Sequence, residues 1–165
     1  MKKIKTNAMR LLDNEKVAYE LLFFDPEKDA ITPAYIAQAI SREAGRIFKT
    51  LVTVGHSGEY YVFCLQLIGE LDLKKAARAA GEKSIELIDL KDLLKVAGYE
   101  HGGTSPLGMR KLYGTFFDET ALSFDKIIVS AGKRGFHIET DPRDLIRVTK
   151  GKVVPLLMAT KSIFR

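Results

Sequence analysis

The stretch that decides the fold is IFKTLVTVGHSGEYYVFCLQL, residues 47–67. Residues 47–54 are rich in β-branched side chains and residues 60–67 are aromatic and apolar, so both segments favour β-strands. The sequence HSGE at 56–59 lies between them and has the composition of a turn. Two strands joined by so short a turn form a hairpin. The sequence therefore predicts a β-hairpin over residues 47–67.

Short helices and strands alternate on either side of this hairpin. Capping residues and stop signals predict helices at 4–16, 33–40, 73–80, 90–97 and 142–148. Further strands are predicted at 19–24, 86–88, 111–117, 126–130, 136–140 and 153–157. No linker or internal repeat divides the chain. We therefore expect one mixed α/β domain over residues 1–165, with a largely antiparallel or mixed sheet.

The composition excludes several classes of protein. The 165 residues include one cysteine, so neither an internal disulfide nor a cysteine-based zinc site can form. No apolar run approaches the roughly 20 residues of a membrane span, and the basic N-terminus lacks the apolar stretch of a signal peptide. We therefore expect a cytoplasmic protein without membrane contact. The formal net charge of +5 is compatible with a polyanionic partner.

The common catalytic and nucleotide-binding motifs do not occur in the sequence. Cys64 lies in the apolar strand YYVFCLQL and is expected to be a core thiol. His56, His101 and His137 lack the spacing of a zinc motif, so neither a metal nor another cofactor is expected. Ser105 in GTSPLG does not fit a nucleophile elbow. Walker and Rossmann phosphate motifs are missing as well, which disfavours nucleotide binding.

Three segments remain as candidates for a site. Lys49 lies among apolar residues at the start of a strand, as a solvated face residue or as a functional cation. The loop HGGTSPLG at 101–108 has paired glycines, which either approach a ligand closely or form a simple turn. The segment IIVSAGKRG at 127–135 ends in two adjacent cations, which suit phosphate or form a basic hairpin tip. Taken singly, these segments leave both alternatives open.

Taken together, the segments resemble the YbaK/EbsC family, and specifically its YbaK-type Cys-tRNA(Pro) deacylases. The motifs occur in the family's order and at matching separations: FKTL at 48–51, GELDLKKAA at 69–77, GGTSPLG at 102–108 and VSAGKRG at 129–135. The similarity covers nearly the whole chain. It implies a curved, mostly antiparallel or mixed sheet flanked by helices, similar to the editing domain associated with prolyl-tRNA synthetase.

The resemblance also implies an activity, the hydrolysis of a mischarged aminoacyl-tRNA, with Cys-tRNA(Pro) as the expected substrate. In YbaK-type members the cysteine thiol of the substrate attacks its own ester, while the protein positions the 3′ end. The implied partners are mischarged tRNA and prolyl-tRNA synthetase. Two alternatives stay open, a deacylase for another small amino acid such as alanine and a non-catalytic module that holds tRNA or a synthetase. A protein that binds small nucleotides is a third and weaker alternative.

The resemblance assigns roles to several residues of this chain. Lys49 matches the family's functional lysine and would orient the acylated 3′ end, with Thr50 beside it in the substrate site. Gly102 and Gly103 match the glycine loop that abuts the aminoacyl group. Ser130 matches a small polar residue of the pocket.

The remaining implied residues include departures from the family pattern. Lys133 and Arg134 match a basic loop and are candidates for tRNA binding. Phe24 occupies a substrate position where a tyrosine is usual, and His137 occupies one where an aspartate is common. Thr32 aligns near a pocket phenylalanine of the family. These departures leave the amino-acid specificity open.

Overall fold

The hairpin predicted over residues 47–67 is present in the computed structural model, which describes residues 4–159. Its strands are antiparallel, and the amide of Gly55 donates to the carbonyl of Glu59 at 2.8 Å to close the turn. Gly58 adopts a left-handed backbone with φ of 91°, which glycine reaches without a Cβ clash. The turn residues thus fix the strand pair that the sequence predicts.

The regular elements follow one another in short alternation. In chain order they are α1 (Asn7–Asn14), β1 (Glu20–Phe23), α2 (Pro33–Ile40), β2 (Phe48–Gly55), β3 (Tyr60–Gln66), α3 (Leu73–Ala80), β4 (Ile85–Leu87), α4 (Leu90–Ala97), β5 (Gly114–Asp118), β6 (Ile127–Lys133), β7 (Phe136–Thr140), α5 (Pro142–Thr149) and β8 (Lys152–Val154). Two 3-10 helices, Ala44–Arg46 and Glu119–Ser123, were not predicted. No helix within the described range is long and apolar enough to cross a membrane.

The strands form two sheets. A three-stranded sheet has the order β1-β7-β6, and a five-stranded sheet has the order β4-β2-β3-β5-β8. Neighbouring strands are antiparallel, except that β5 is parallel to both β3 and β8. The predicted mixed α+β architecture with mixed strand directions is confirmed.

Helix caps explain why α2, α3, α4 and α5 begin and end within one residue of their predicted bounds. The Thr32 hydroxyl accepts from the amide of Tyr35 at 3.0 Å, and Asp72 and Asp141 accept from amides in the same way. Asp89 precedes α4 but makes no side-chain cap hydrogen bond. Glycines in the left-handed conformation end both α3 and α4.

The predicted bounds differ most at three elements. Helix α1 begins at Asn7 because Thr6 is extended and caps it, and the left-handed Lys16 stops its continuation. Strand β5 begins at Gly114, three residues later than predicted. Strand β8 ends at Val154 because Pro155 has no N–H for the ladder.

The five-stranded sheet is covered by apolar side chains on both faces. Alternation along β5 directs Phe116 and Phe117 into different clusters. Phe117 packs with Cys64 and with Leu12 of α1, and Phe116 packs with residues of α3. Cys64 is fully buried, so the predicted core thiol is confirmed.

Within residues 4–159, one backbone bridge, between Ile47 and Ile128, joins the two sheets. The bridge is parallel, and both side chains are at most 1% exposed. Beyond it β2 and β6 are not paired, and each follows its own sheet. This divergence opens the space in which the candidate site lies.

The junction gives a stability prediction. We expect Ile47→Ala to lower the free energy of unfolding by about 2–5 kcal/mol, because it leaves a cavity between the two sheets. Ile68 is 60% exposed, so Ile68→Ala should change the free energy of unfolding by less than about 0.5 kcal/mol. Urea unfolding measures both variants. Equal stability of the two would show that the junction is not closely packed.

Candidate functional site

A cleft of about 820 Å³ lies where β2 and β6 separate. One wall is β2 from Phe48 to Val52, and the other carries Ser130 of β6 and His137 of β7. The first turn of α4 and the loop after this helix complete the walls. The volume falls within the roughly 300–1,000 Å³ of typical small-ligand sites.

The cleft brings together most of the site residues predicted from the sequence. Two of them, Gly103 and Lys133, do not line it. The predicted residues that do line it are Phe24, Lys49, Thr50, Gly102, Ser130, Arg134 and His137. They come from both sheets and from three loop segments, so only the tertiary fold gathers them.

At Thr50, the part of β2 that lines the cleft has a free backbone edge. Strand β4 pairs with β2 at residues 53–55, and just before them the carbonyl of Val52 accepts from the amide of Ile88 at 3.2 Å. The carbonyl of Ile47 accepts from Leu67, and hydrogen-bonded positions alternate along an antiparallel pair, so the odd-numbered residues of β2 bond to β3. The peptide N–H and C=O of Thr50 therefore point away from β3 and toward the cleft. They are available to a ligand as one donor and one acceptor.

Lys49 is half-buried on the cleft wall, and its ammonium is held in place. Its Nζ donates to the carbonyl of Gly69 at 2.7 Å. Burial lowers the pKa of Lys49 below its usual value, and the carboxylate of Glu70 partly offsets this shift. An ammonium has three N–H donors, so two remain for a ligand oxygen.

The thiol of Cys64 and the hydroxyl of Ser105, which the sequence does not favour as nucleophiles, are both buried. Cys64 Sγ lies 3.8 Å from the hydroxyl of Thr50, and burial raises the pKa of Cys64 to about 12. It is therefore a neutral thiol at neutral pH. Ser105 is fully buried, and its hydroxyl accepts from the amide of Leu107 at 3.2 Å. Neither group presents a nucleophile to the cleft.

Ser130 and His137 face each other across β6 and β7. The Ser130 hydroxyl accepts from the amide of Gly132 at 3.1 Å. His137 is 8% exposed and its ring centre lies 5.3 Å from that of Phe24. Burial lowers the pKa of His137 to about 4, so the imidazole is neutral at pH 7. Its buried Nδ1 has no hydrogen-bond partner within residues 4–159.

Gly103 is required by backbone packing against the β6–β7 turn. A Cβ built on Gly103 would lie 3.0 Å from the amide nitrogen of Arg134 and 3.1 Å from the carbonyl carbon of Lys133. Gly102 has φ of 85°, and its Cβ would meet the stem of Arg134. The paired glycines thus bring the loop against the hairpin tip, which positions Gly102 on the cleft wall.

The two cations of the hairpin tip lie in different surroundings. Arg134 Nη2 donates to the carbonyl of Pro26 at 3.0 Å, and Nη1 lies 3.8 Å from a carboxylate oxygen of Glu27. Lys133 Nζ lies 5.2 Å from the centre of the Phe136 ring. Arg134 therefore joins two segments of the cleft rim, whereas Lys133 lies outside the cleft.

Sequence reasoning missed the apolar part of the wall. Thr32 caps α2 and does not line the cleft, whereas its neighbour Ile31 does. Leu87 and Leu90 also line it, although they are 55% and 66% exposed. Leu87 lies in β4 and Leu90 in the first turn of α4. Their exposed, apolar side chains are the feature that could have indicated this part of the wall. Glu100 is a further wall residue that the motifs did not indicate.

A family model described as an aminoacyl-tRNA editing domain matches residues 27–148, which contain nearly all of the cleft wall. The chain belongs to the aminoacyl-tRNA editing domain family. The resemblance to the YbaK/EbsC family is therefore confirmed.

Individual relatives cover most of this editing-domain chain. It is 45% identical over 148 residues to the Enterococcus faecalis protein named "Putative Cys-tRNA(Pro)/Cys-tRNA(Cys) deacylase EbsC", with 90% of each chain covered. A solved structure of a "putative trans-editing enzyme for prolyl tRNA synthetase" has a TM-score of 0.81 at 24% identity, covering 95% of this chain and 100% of that one. The structure of hypothetical protein APE2540 has a TM-score of 0.83 at 21% identity, covering 93% and 100%. The two structures support the fold.

The buried histidine gives a pH prediction. Unfolded histidine binds a proton near pH 6.5, whereas native His137 does so only near pH 4, so the unfolded state binds more protons between these values. The free energy of unfolding therefore falls as the pH is lowered through this window, and at pH 5 it is about 2 kcal/mol lower than at pH 7.

Urea unfolding of wild type and His137→Gln at pH 7 and pH 5 measures this contribution. The variant should lose less stability than wild type between the two pH values. His56→Gln, at the exposed hairpin turn, should behave as wild type. An unchanged pH dependence in His137→Gln would contradict a neutral buried imidazole.

Proposed function

We propose that this editing-domain protein removes cysteine from mischarged Cys-tRNA(Pro) in trans. The observation that carries the proposal is the ammonium of Lys49, half-buried beside the free edge of β2 in a cleft that opens between the sheets. Membership of the editing-domain family and the 45% identical relative support this substrate class. The protein would act beside prolyl-tRNA synthetase, whose pocket rejects a small isostere poorly.

In the proposed reaction the nucleophile is the thiol of the substrate. The thiol sulfur bonds to the ester carbonyl carbon, and the bond from that carbon to the ribose oxygen breaks. The thiol proton passes to the ribose oxygen, which leaves a cyclic thiolactone and deacylated tRNA. The buried states of Cys64 and Ser105 support this proposal because neither can attack a bound ester.

The protein would contribute positioning and electrostatic stabilisation. Lys49 has two free N–H donors for the developing oxyanion or a phosphate oxygen. The outward peptide N–H of Thr50 is a second donor on the same wall, and Gly102 would let the aminoacyl group approach the opposite wall. Phe24, Ser130 and neutral His137 would enclose the side chain of the amino acid. In this arrangement the geometry of the bound ester determines the rate.

The hairpin tip would support the acceptor end of the tRNA. Arg134 is half exposed and its carboxylate contact, Glu27, is 3.8 Å away, so a phosphate can compete for the guanidinium. Lys133 lies outside the cleft, where it would meet nucleotides that precede the acylated end. Both roles predict binding that weakens as salt rises.

Substitution of Lys49 tests the proposal. We expect Lys49→Ala to reduce the rate of Cys-tRNA(Pro) deacylation by about 10²- to 10³-fold, the usual loss for one oxyanion donor. Lys49→Arg should retain part of the rate, because it keeps the charge but changes the donor geometry. Release of labelled cysteine measures the rate.

Lys74→Ala is the matched control, because Lys74 is an exposed residue of α3 that does not line the cleft. Its rate should equal that of wild type. Thermal unfolding of Lys49→Ala separates a lost donor from a lost fold, since Lys49 also holds Gly69. Full activity of a folded Lys49→Ala would refute the assignment, and salt-dependent tRNA binding without ester loss would favour a non-catalytic module.

A substrate without the thiol tests the proposed nucleophile. Ala-tRNA(Pro) differs from Cys-tRNA(Pro) by the sulfur alone, so the size of its side chain would not exclude it from the same cleft. We expect its deacylation to be at least about 100-fold slower, because the intramolecular attack is lost. Comparable rates for both esters, measured with labelled amino acids, would point to attack by water and to a deacylase for small amino acids in general.

A further inference from the structure

The charged side chains on the cleft wall include one acid. Lys49 and Arg134 bring positive charge, and the imidazole of His137 is neutral at pH 7 because burial lowers its pKa to about 4. Among the wall residues within 4–159, Glu100 alone carries a carboxylate. Its side chain is exposed, and none of the ion pairs found in the described part of the chain involves it.

The backbone around Glu100 is held in position by its own loop. The Glu100 carbonyl accepts from the amide of Gly103 at 2.9 Å and from the hydroxyl of Thr104 at 3.2 Å. The preceding residue, Tyr99, is buried and donates through its hydroxyl to the carbonyl of Leu107. Gly103 in turn packs against the hairpin tip. The carboxylate therefore starts from a fixed backbone position at the cleft.

A lone acid is unfavourable on the wall of a cleft that receives the end of a tRNA. Each phosphate of the ligand is an anion, and like charges at close range repel. The carboxylate of Glu100 is tolerated if it faces a cation of the same ligand. The acylated 3′ end carries one such group, the α-ammonium of the amino acid. A carboxylate close to this amine favours its protonated, positively charged form.

We propose that the Glu100 carboxylate binds the α-ammonium group of the esterified amino acid. This inference rests on the proposed function and deepens it, because it assigns the contact that distinguishes an aminoacyl ester from an ester without an amine. The ion pair would hold the α-carbon against the loop wall while Lys49 and the edge of β2 face the carbonyl group. Glu100 would thus be a specificity-determining residue for free amino acids.

The test compares two substrates that differ only in the ammonium group. These are Cys-tRNA(Pro) and the same tRNA esterified with 3-mercaptopropanoic acid, which keeps the thiol and lacks the amine. We expect Glu100→Gln to raise KM for Cys-tRNA(Pro) about three- to tenfold, as for the loss of one partly exposed charged contact. For the mercaptopropanoyl ester the variant and wild type should have the same KM.

Glu43→Gln is the matched control, because Glu43 is exposed and does not line the cleft. It should leave both KM values unchanged. An equal rise in KM for both esters in Glu100→Gln would overturn the inference, since it would mean that Glu100 acts only by shaping the loop. An unchanged KM for Cys-tRNA(Pro) would overturn it as well and would leave Glu100 as a solvated surface acid.

A binding measurement keeps this inference separable from the proposed reaction. The probe is adenosine carrying cysteine through a stable 3′-amide, together with its analogue without the amine. Glu100→Gln should weaken binding of the amine-bearing probe three- to tenfold and leave the other unchanged, even if wild type cleaves no ester. Equal affinities of wild type and variant for the amine-bearing probe would refute the ion pair. Absence of ester cleavage alone would refute the proposed function.

Discussion

The site depends on the backbone of Ile47, which lies directly before β2 and links the two sheets. Its carbonyl accepts from Leu67 in the hairpin, and it bridges Ile128 in the other sheet. After this residue β2 continues with β3, whereas β6 continues with β7 and has a bulge between Ser130 and Lys133. A bulge bends a strand and increases its twist. The two strands therefore separate, and the cleft is the space between them.

The same separation leaves polar backbone inside the cleft. A strand in the middle of a sheet has both edges paired, but β4 reaches only the last residues of β2. The peptide group of Thr50 therefore has no strand partner on this edge among residues 4–159, and a ligand in the cleft can reach it. Lys49 beside it is held by the carbonyl of Gly69, so the wall presents donors that protein contacts already position. Donors that are already in place need no reorganisation when charge develops on a bound ester.

The loop after α4 is positioned by contact with the β6–β7 turn. Gly103 lies so close to the backbone of Lys133 and Arg134 that a Cβ at this position would push the loop and the hairpin tip apart. The two sequence motifs that contain these residues are therefore parts of one packed unit, although about thirty residues separate them. The glycines fix the opposite wall of the cleft, and the position of Glu100 follows from this packing.

The sequence by itself determined the α-helices and strands to within a few residues, and it indicated the family. Local signals suffice for this: Thr32, Asp72 and Asp141 cap helices through neighbouring amides, and the turn near Gly58 sets the hairpin. The ordered motifs carried the resemblance, and the family pattern then indicated seven residues of the cleft wall, of which Phe24 and His137 lie outside the motifs. Such signals are short-range or carried by spacing along the chain, so they are readable without coordinates.

Only the tertiary structure decided how these pieces make a site. The division into two sheets and the free edge of Thr50 arise from pairings between distant strands, which no local pattern specifies. The placement of Leu87, Leu90 and Glu100 on the wall has the same origin. Burial also decided the chemistry of His137, since the same imidazole would titrate near neutral pH in water. Local propensity fixes where an element begins and ends, but long-range packing fixes which groups lose water and which remain open to a ligand.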